Sequence, residues 1–197
     1  MNGLHVVKSL PLALTVLRAV LGPIVVLLAL YYPSRPAFGF CLVAAFLSDI
    51  VDGILARRLG IATPNLRRLD SMADSVFYIG AAYAAWYLYP AAINERLFPL
   101  SILVLLELSR YMLDMVKFQR EASYHMWSSK LWGICLFVGF SALLIFGVDN
   151  GLVSAAIYAG ILADIEGLAI SLVLREWKYD VPTLLHAIRL QALHDRG

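Results

Sequence analysis

The sequence predicts an all-α integral membrane protein with six transmembrane helices and a short amphipathic C-terminal tail. Of its 197 residues, 61% are hydrophobic and 15% are charged, which is more apolar than a typical soluble domain. The apolar residues form blocks close to the roughly 20 residues that a spanning helix needs. The predicted spans are 10–32, 37–59, 66–89, 97–118, 129–147 and 152–174. We therefore expect one membrane domain, residues 1–175, and a cytoplasmic or interfacial tail, 176–197.

Residues that break helices separate these blocks in order along the chain. Pro33 and Pro36 follow the first block, and the stretch 90–99 begins and ends with proline after the third. Asp149-Asn150-Gly151 follows the fifth block. The connection 57–65 is short and basic, so the second and third helices are expected to form an antiparallel hairpin.

The distribution of basic residues predicts the orientation of the six spans. All but two of the 16 Lys and Arg residues fall on the side of the N-terminus and the connection 57–65, whereas Arg35 and Arg96 fall on the other side. Positive residues favour the cytoplasmic side, so both termini and that connection should be cytoplasmic. We expect the protein in a bacterial inner (plasma) membrane. In the tail, Trp177 and Leu184 among charged residues indicate an amphipathic helix, with a solvated tail as the alternative.

Charge and cysteine content exclude several other classes of function. The formal net charge is only +2, and no Lys/Arg run resembles a phosphate-tracking arm, so we expect no nucleic-acid partner. Cys41 and Cys135 lie in apolar stretches without a CxxC motif or a nearby histidine partner, so they are expected to be buried thiols.

Two pairs of aspartates flank the basic connection of the predicted hairpin. Asp49 and Asp52 are three residues apart and Asp70 and Asp74 are four apart, so each pair projects from one helix face. Carboxylates inside a membrane are costly and therefore rare. Gly53 is four residues after Asp49 and Ala56 seven, so two small side chains leave room for a ligand on the same face. The hairpin should bring both pairs together near the cytoplasmic boundary.

Four carboxylates in one place need cations to offset their repulsion. Oxygen ligands without histidine or cysteine favour a hard divalent ion, Mg²⁺ first, with Mn²⁺ or Ca²⁺ as alternatives. Four carboxylates are enough for two ions, an arrangement that supports phosphoryl transfer. In the alternative interpretation, the aspartates only form ion pairs with the basic residues of the connection, Arg57, Arg58, Arg67 and Arg68.

The pattern D-x2-D-G-x2-A-R-x8-x-x3-D-x3-D, residues 49–74, resembles the motif of the CDP-alcohol phosphotransferase family. Leu14, Thr15, Arg18 and Pro23 resemble the first helix of that family more loosely. The resemblance implies a phospholipid-biosynthetic transferase that moves a phosphatidyl-type group from a CDP-alcohol, CDP-diacylglycerol above all, to a hydroxyl acceptor and releases CMP. It also implies a homodimer among membrane lipids.

The resemblance assigns roles to individual residues. Asp49, Asp52 and Asp70 would hold one metal ion, and Asp49, Asp70 and Asp74 a second, with Asp74 also the general base. The residues that would contact the CDP-lipid donor are the aspartates 49 and 52 with Gly53, Ala56, Arg57 and Thr63. For Thr63 the alternative is a helix N-cap before Pro64, and the two roles are compatible.

One position departs from the family pattern. Leu66 stands where the family has glycine, four residues before Asp70 and on the same helix face. A leucine there either reshapes a working pocket or impairs catalysis. The alternatives to an active transferase are therefore a catalytically silent relative that binds CDP-lipid and, from another class, a divalent-cation transporter.

Cationic residues on the fourth and fifth spans are candidates for the acceptor site. Arg110 and Lys117 lie at the cytoplasmic end of the fourth span, and Lys130 begins the fifth. Arg110 and Lys130 are our acceptor-binding candidates, and together they favour a phosphorylated acceptor. In the alternative they only flank the spans, with Arg110 paired to Asp114 or Glu107. The stretch 70–74 instead resembles serine-transferring members of the family, so the sequence does not determine the identity of the acceptor.

Overall fold

A computed structural model describes residues 2–59, 64–120, 124 and 126–194, which are almost entirely helical. The helices are α1 (Asn2–Tyr31), α2 (Arg35–Arg58), α3 (Pro64–Leu88), α4 (Pro90–Asn94), α5 (Leu97–Phe118), α6 (Trp127–Phe140), α7 (Gly151–Val173) and α8 (Leu184–His194). A π-helical segment, Ser141–Ile145, continues α6, and the amide of Phe146 donates to the carbonyl oxygen of Ser141 at 3.2 Å, five residues back. The all-α prediction is confirmed for these residues.

Four stretches within the described part of the chain are long and apolar enough to cross a membrane. They are Leu10–Tyr31, Arg35–Leu55, Trp127–Ile145 and Gly151–Val173. Helices α3 and α5 have sufficient length, but α5 carries four charged residues between Glu107 and Lys117, and α3 combines aspartates with many small residues and tyrosines. The remaining two of the six predicted spans therefore stay a prediction.

The chain divides into two compact units. The first comprises Met1–Ile93 and Phe140–Val148, and the second Asn94–Gly139 and Asp149–Gly197. In the first unit, α1 packs along α2 and α3, and the π-helical segment packs on α2. Its core includes the fully buried side chains of Val25, Phe38 and Phe77.

Helices α1 and α3 of the first unit approach each other closely at Gly22 and Gly80. A Cβ atom on Gly80 would lie 2.6 Å from the carbonyl oxygen of Gly22, and one on Gly22 would lie 2.7 Å from that of Val76. Small residues permit such backbone contact between membrane helices. Gly22 is one turn after Arg18, so this crossing fixes how far Arg18 lies from α3.

In the second unit, α7 packs between α5 and α8. Helix α7 begins at the N-cap Asn150, whose side-chain oxygen accepts from the amide of Leu152 at 3.0 Å. The amide of Leu184 at the start of α8 donates to Glu166 Oε1 of α7 at 3.1 Å. Ile170, Leu174 and Ala187 are buried in the core between α7 and the tail. The tail thus forms a helix as predicted, packed on the last spanning helix.

Candidate active site

Helices α2 and α3, which both pack on α1, bring the aspartate pairs together. Asp49, Asp70 and Asp74 each offer a carboxylate oxygen, and these oxygens lie within 4.8 Å of one another. The three side chains are partly exposed, whereas Asp52 is 3% exposed. The predicted cluster therefore has an accessible side formed by three carboxylates and a buried side at Asp52. Asp52 itself is not in the group of three.

A residue of α1 links all four carboxylates. Arg18 is 1% exposed, and its guanidinium pairs with Asp49 at 3.0 Å, with Asp70 at 3.1 Å, and directly with Asp52 and Asp74. Its Nε donates to the hydroxyl of Ser48 at 3.5 Å. Five donors in a planar fork allow one arginine to serve several carboxylates. The cation that the structure shows beside the aspartates thus comes from a third helix, and the alternative of pairing with Arg57, Arg58, Arg67 and Arg68 stays a prediction.

Arg18 was not among the predicted site residues. Sequence reasoning noted it only as a loose match to a family's first helix, yet a signal was present. An arginine inside an otherwise apolar span is costly, and this makes it a functional candidate with a partner elsewhere. Which partner it has could not be read from spacing, because the aspartates are 31 to 56 residues further along the chain.

The electrostatics of the cluster leave room for further positive charge. Four carboxylates face one guanidinium, so three negative charges remain uncompensated among these five groups. Two carboxylates 4.8 Å apart repel by roughly 3 kcal/mol at an effective dielectric constant of about 20. In addition, Asp52 Oδ1 is buried and accepts no hydrogen bond within the described part of the chain, whereas Asp70 Oδ1, also without a hydrogen bond there, has the ion-pair contact with Arg18 at 3.1 Å. An all-oxygen donor set with unsatisfied buried atoms fits a hard divalent cation.

The structure describes only some of the residues that are predicted to contact the CDP-lipid donor. Gly53 lies on α2 one residue after Asp52 and is half-buried. Ala56 and Arg57 continue the same helix, but their side chains lie outside the described residues, and Thr63 lies outside them altogether. Leu66 is half-buried on α3, one turn before Asp70. The roles of these four residues in donor binding, and of Leu66 beside the metal site, stay predictions.

In the second unit, the acceptor candidate Arg110 forms a partly buried ion-pair network. Its guanidinium pairs with Glu107 of the same helix at 2.9 Å and with Asp164 of α7 at 3.1 Å. Asp164 is fully buried, and neither of its oxygens accepts a hydrogen bond within the described residues. Two carboxylates thus face the one guanidinium. Asp164, left without a role by the sequence, is accounted for as the partner of Arg110.

The other cations of the second unit also have defined neighbours. Lys117 Nζ donates to the carbonyl oxygens of Ser171 and Leu172, at 2.8 and 3.0 Å, near the C-terminus of α7. A cation there complements the helix dipole. The ammonium of Lys130, an acceptor candidate, lies 4.3 Å from the ring centroid of Trp127. Tyr124 shares a hydrogen bond of 2.9 Å with Ser171, and burial raises its pKa to about 12.

Comparison with known proteins agrees with this site. The family model of CDP-alcohol phosphatidyltransferases matches residues 8–173, a range that contains Arg18 and all four aspartates. No curated protein and no solved structure matches the chain. Members of the matched family are phosphotransferases that move a phosphatidyl group from a CDP-alcohol to an acceptor, and they generally use a divalent metal. Because the match covers most of the sequence, the chain belongs to the CDP-alcohol phosphatidyltransferase family.

Proposed function

We propose that this protein transfers the phosphatidyl group of CDP-diacylglycerol to the hydroxyl group of a small acceptor and releases CMP. The observation that carries the proposal is the cluster of Asp49, Asp70 and Asp74, whose oxygens lie within 4.8 Å of one another on α2 and α3. A soluble enzyme would need to extract the donor from the bilayer. Here the cluster lies on helices beside apolar spans, so the acyl chains can stay in the membrane.

The aspartates 49, 52, 70 and 74 are proposed to hold two Mg²⁺ ions. When bound, these ions would offset the negative charge on the donor's pyrophosphate and polarise the phosphorus that is attacked. The support for this assignment is the all-oxygen donor set and the excess of four carboxylates over the one guanidinium among these five described side chains. The partly exposed faces of Asp49, Asp70 and Asp74 give an incoming ion access.

Asp74 is proposed as the general base. Arg18 hydrogen-bonds to Asp74 Oδ1, so Oδ2 is the oxygen that would accept the proton of the acceptor hydroxyl. The acceptor oxygen would attack the lipid-linked phosphorus in line. The bond from that phosphorus to the bridging oxygen would break, and CMP would leave with the electron pair. Gly53 and Arg57 would support the donor, the glycine by close approach and the arginine by charge.

The orientation and assembly are proposed from the distribution of basic residues and from the family resemblance. The predicted cytoplasmic side includes the connection between α2 and α3, so the active site and both termini would face the cytoplasm of a bacterial inner membrane. The family resemblance favours a homodimer. For the acceptor, Arg110 and Lys130 remain our candidates. The pairing of Arg110 with Glu107 and Asp164 leaves less positive charge for an acceptor phosphate than the sequence alone indicated.

An assay of reconstituted protein tests the reaction. Full-length protein in vesicles should release CMP from CDP-diacylglycerol only when Mg²⁺ and a suitable acceptor are present. The acceptor panel would include serine, glycerol phosphate, inositol and inositol phosphate. Asp70→Asn, which keeps size but removes one negative charge, should reduce the rate by at least a hundredfold. Absence of CMP release with every acceptor, from folded protein that still binds the donor, would instead favour the silent relative.

The transporter alternative is distinguished by flux. It predicts Mn²⁺ entry into sealed vesicles without nucleotide. The transferase predicts donor-dependent CMP release and no such entry.

A further inference from the structure

The contacts of Arg18 have a regular pattern across the hairpin. Its Nη1 pairs with Asp49 of α2 and Asp74 of α3, and its Nη2 pairs with Asp52 of α2 and Asp70 of α3. Each terminal nitrogen therefore joins one carboxylate from each helix. A planar guanidinium with two such nitrogens fixes the spacing between the two pairs in a way that a lysine ammonium cannot.

Arg18 also uses only one oxygen of every carboxylate. The oxygens in contact are Oδ1 of Asp49, Asp70 and Asp74 and Oδ2 of Asp52. The second oxygens of the three partly exposed aspartates, Asp49, Asp70 and Asp74, are therefore not in contact with Arg18, whereas that of Asp52 is buried. Because Arg18 is 1% exposed while three of the aspartates are partly exposed, the guanidinium lies on the buried side of the cluster. An ion arriving at the exposed side would not need to displace it.

We propose that Arg18 is a permanent counter-ion of this site, which positions the four carboxylates and sets the affinity of the site for divalent cations. The inference rests on the proposed function in one respect, namely that a divalent ion binds these aspartates. Arg18 is thereby a positioning residue, because it acts through the aspartates that would contact the reacting groups.

Two opposite consequences follow from this placement. A fixed positive charge beside the carboxylates repels an incoming divalent cation, so removing the charge should tighten metal binding. The same removal takes away the guanidinium that the four carboxylates share, so the metal-free protein should lose stability and the carboxylates should lose their common geometry. A residue that only packs α1 against its neighbours would produce neither the tighter binding nor a stability loss that depends on metal.

The experiment compares three variants of the full-length protein in lipid nanodiscs. Arg18→Gln removes the charge, Arg18→Lys keeps the charge but loses the fork, and Thr15→Ala serves as the control. Thr15 is buried one turn earlier on α1, and its hydroxyl donates to the carbonyl oxygen of Pro11 in the same helix at 3.1 Å. Binding of Mn²⁺ is followed by the electron paramagnetic resonance signal of the free ion. Thermal unfolding is measured in EDTA and in saturating Mn²⁺.

The half-saturating Mn²⁺ concentration should fall at least fivefold in Arg18→Gln and stay within twofold of wild type in Arg18→Lys and Thr15→Ala. Arg18→Gln should lose more thermal stability in EDTA than in Mn²⁺, because tighter binding stabilises the folded state more. Thr15→Ala should lose the same amount in both. The catalytic rate should fall in both Arg18 variants, since neither retains the fork.

Unchanged or weaker Mn²⁺ binding by Arg18→Gln would overturn the proposal, as would an equal stability loss with and without Mn²⁺. If Arg18→Gln folds only in Mn²⁺, the proposal is supported. If it folds in neither condition, Arg18→Lys decides: a Mn²⁺ affinity within twofold of wild type with reduced turnover supports the proposal, and a shift of more than fivefold overturns it. If the wild-type protein binds no Mn²⁺, the proposed metal function fails instead.

Discussion

Replacing Gly80 by alanine should separate α1 from α3 and weaken both the fold and the reaction. The new Cβ would lie 2.6 Å from the carbonyl oxygen of Gly22 and 3.1 and 3.2 Å from its C and Cα atoms, all of them backbone. No flexible side chain can move aside, so the helices themselves must part by several tenths of an ångström. Overpacking of this kind costs about 1–3 kcal/mol of folding free energy.

The same separation should reach the active site. Arg18 is one turn before Gly22, and its partner Asp74 is six residues before Gly80. A shift approaching 1 Å between a catalytic group and its supports can reduce the rate by about a hundredfold. We therefore expect Gly80→Ala to lower CMP release by at least tenfold and to lower the thermal unfolding temperature.

A matched control is available in α6. Gly133 has no atom within 4 Å of where its Cβ would lie, so Gly133→Ala adds the same methyl group to open space. It should leave activity unchanged and slightly stabilise the helix, since alanine is a better helix former than glycine by about 1 kcal/mol. Wild-type activity and stability of Gly80→Ala would refute the close crossing of α1 and α3. Equal losses of activity and stability in Gly80→Ala and Gly133→Ala would also refute it.

Three further substitutions test other parts of the molecule. Leu66→Gly restores the residue of the family pattern, so a large gain in turnover would indicate that leucine impairs catalysis, and a loss would indicate a reshaped working pocket. Arg110→Met should cost about 3 kcal/mol of stability by leaving Asp164 buried without its cation, and adding Asp164→Leu should recover much of this loss. Acceptor-dependent activity that stays low in the stable double variant would support acceptor binding by Arg110, and full recovery would count against it. Asn150→Ala should destabilise α7 by about 1 kcal/mol in thermal unfolding, with Asn150→Asp close to wild type, and no difference between the two would argue against the cap.

The grouping of the aspartates could be predicted because local spacing determines each pair. Intervals of three and four residues place Asp49 with Asp52, and Asp70 with Asp74, on single helix faces, and a short connection turns the two helices antiparallel. The structure brings Asp49, Asp70 and Asp74 together as expected. The burial of Asp52 apart from this group was not predictable, because it depends on Arg18 on another helix.

Features that depend on contacts between distant helices could not be predicted from the sequence. The pairing of Arg110 with Asp164 joins residues 54 positions apart, and the bond from Leu184 to Glu166 depends on the tail folding back on α7. In the sequence, nothing distinguishes Gly22 and Gly80 from other small residues, because their importance depends on the crossing of α1 and α3. The spans predicted from apolarity agree with the structure where charged residues are few. The predictions for α3 and α5 stay untested, because these helices carry the charged residues of the two ion-pair networks.

The charge on α1 has a consequence for how the protein enters the membrane during synthesis. An arginine near the centre of an inserting helix costs about 2.5–3.5 kcal/mol, and the aspartates that neutralise Arg18 emerge from the ribosome only 31 to 56 residues later. Helix α1 therefore has no partner for its charge until α2 and the beginning of α3 have been translated. We expect these three helices to insert into the bilayer together. Helix α1 would become stable in the membrane only once the aspartates of α2 and α3 can neutralise Arg18.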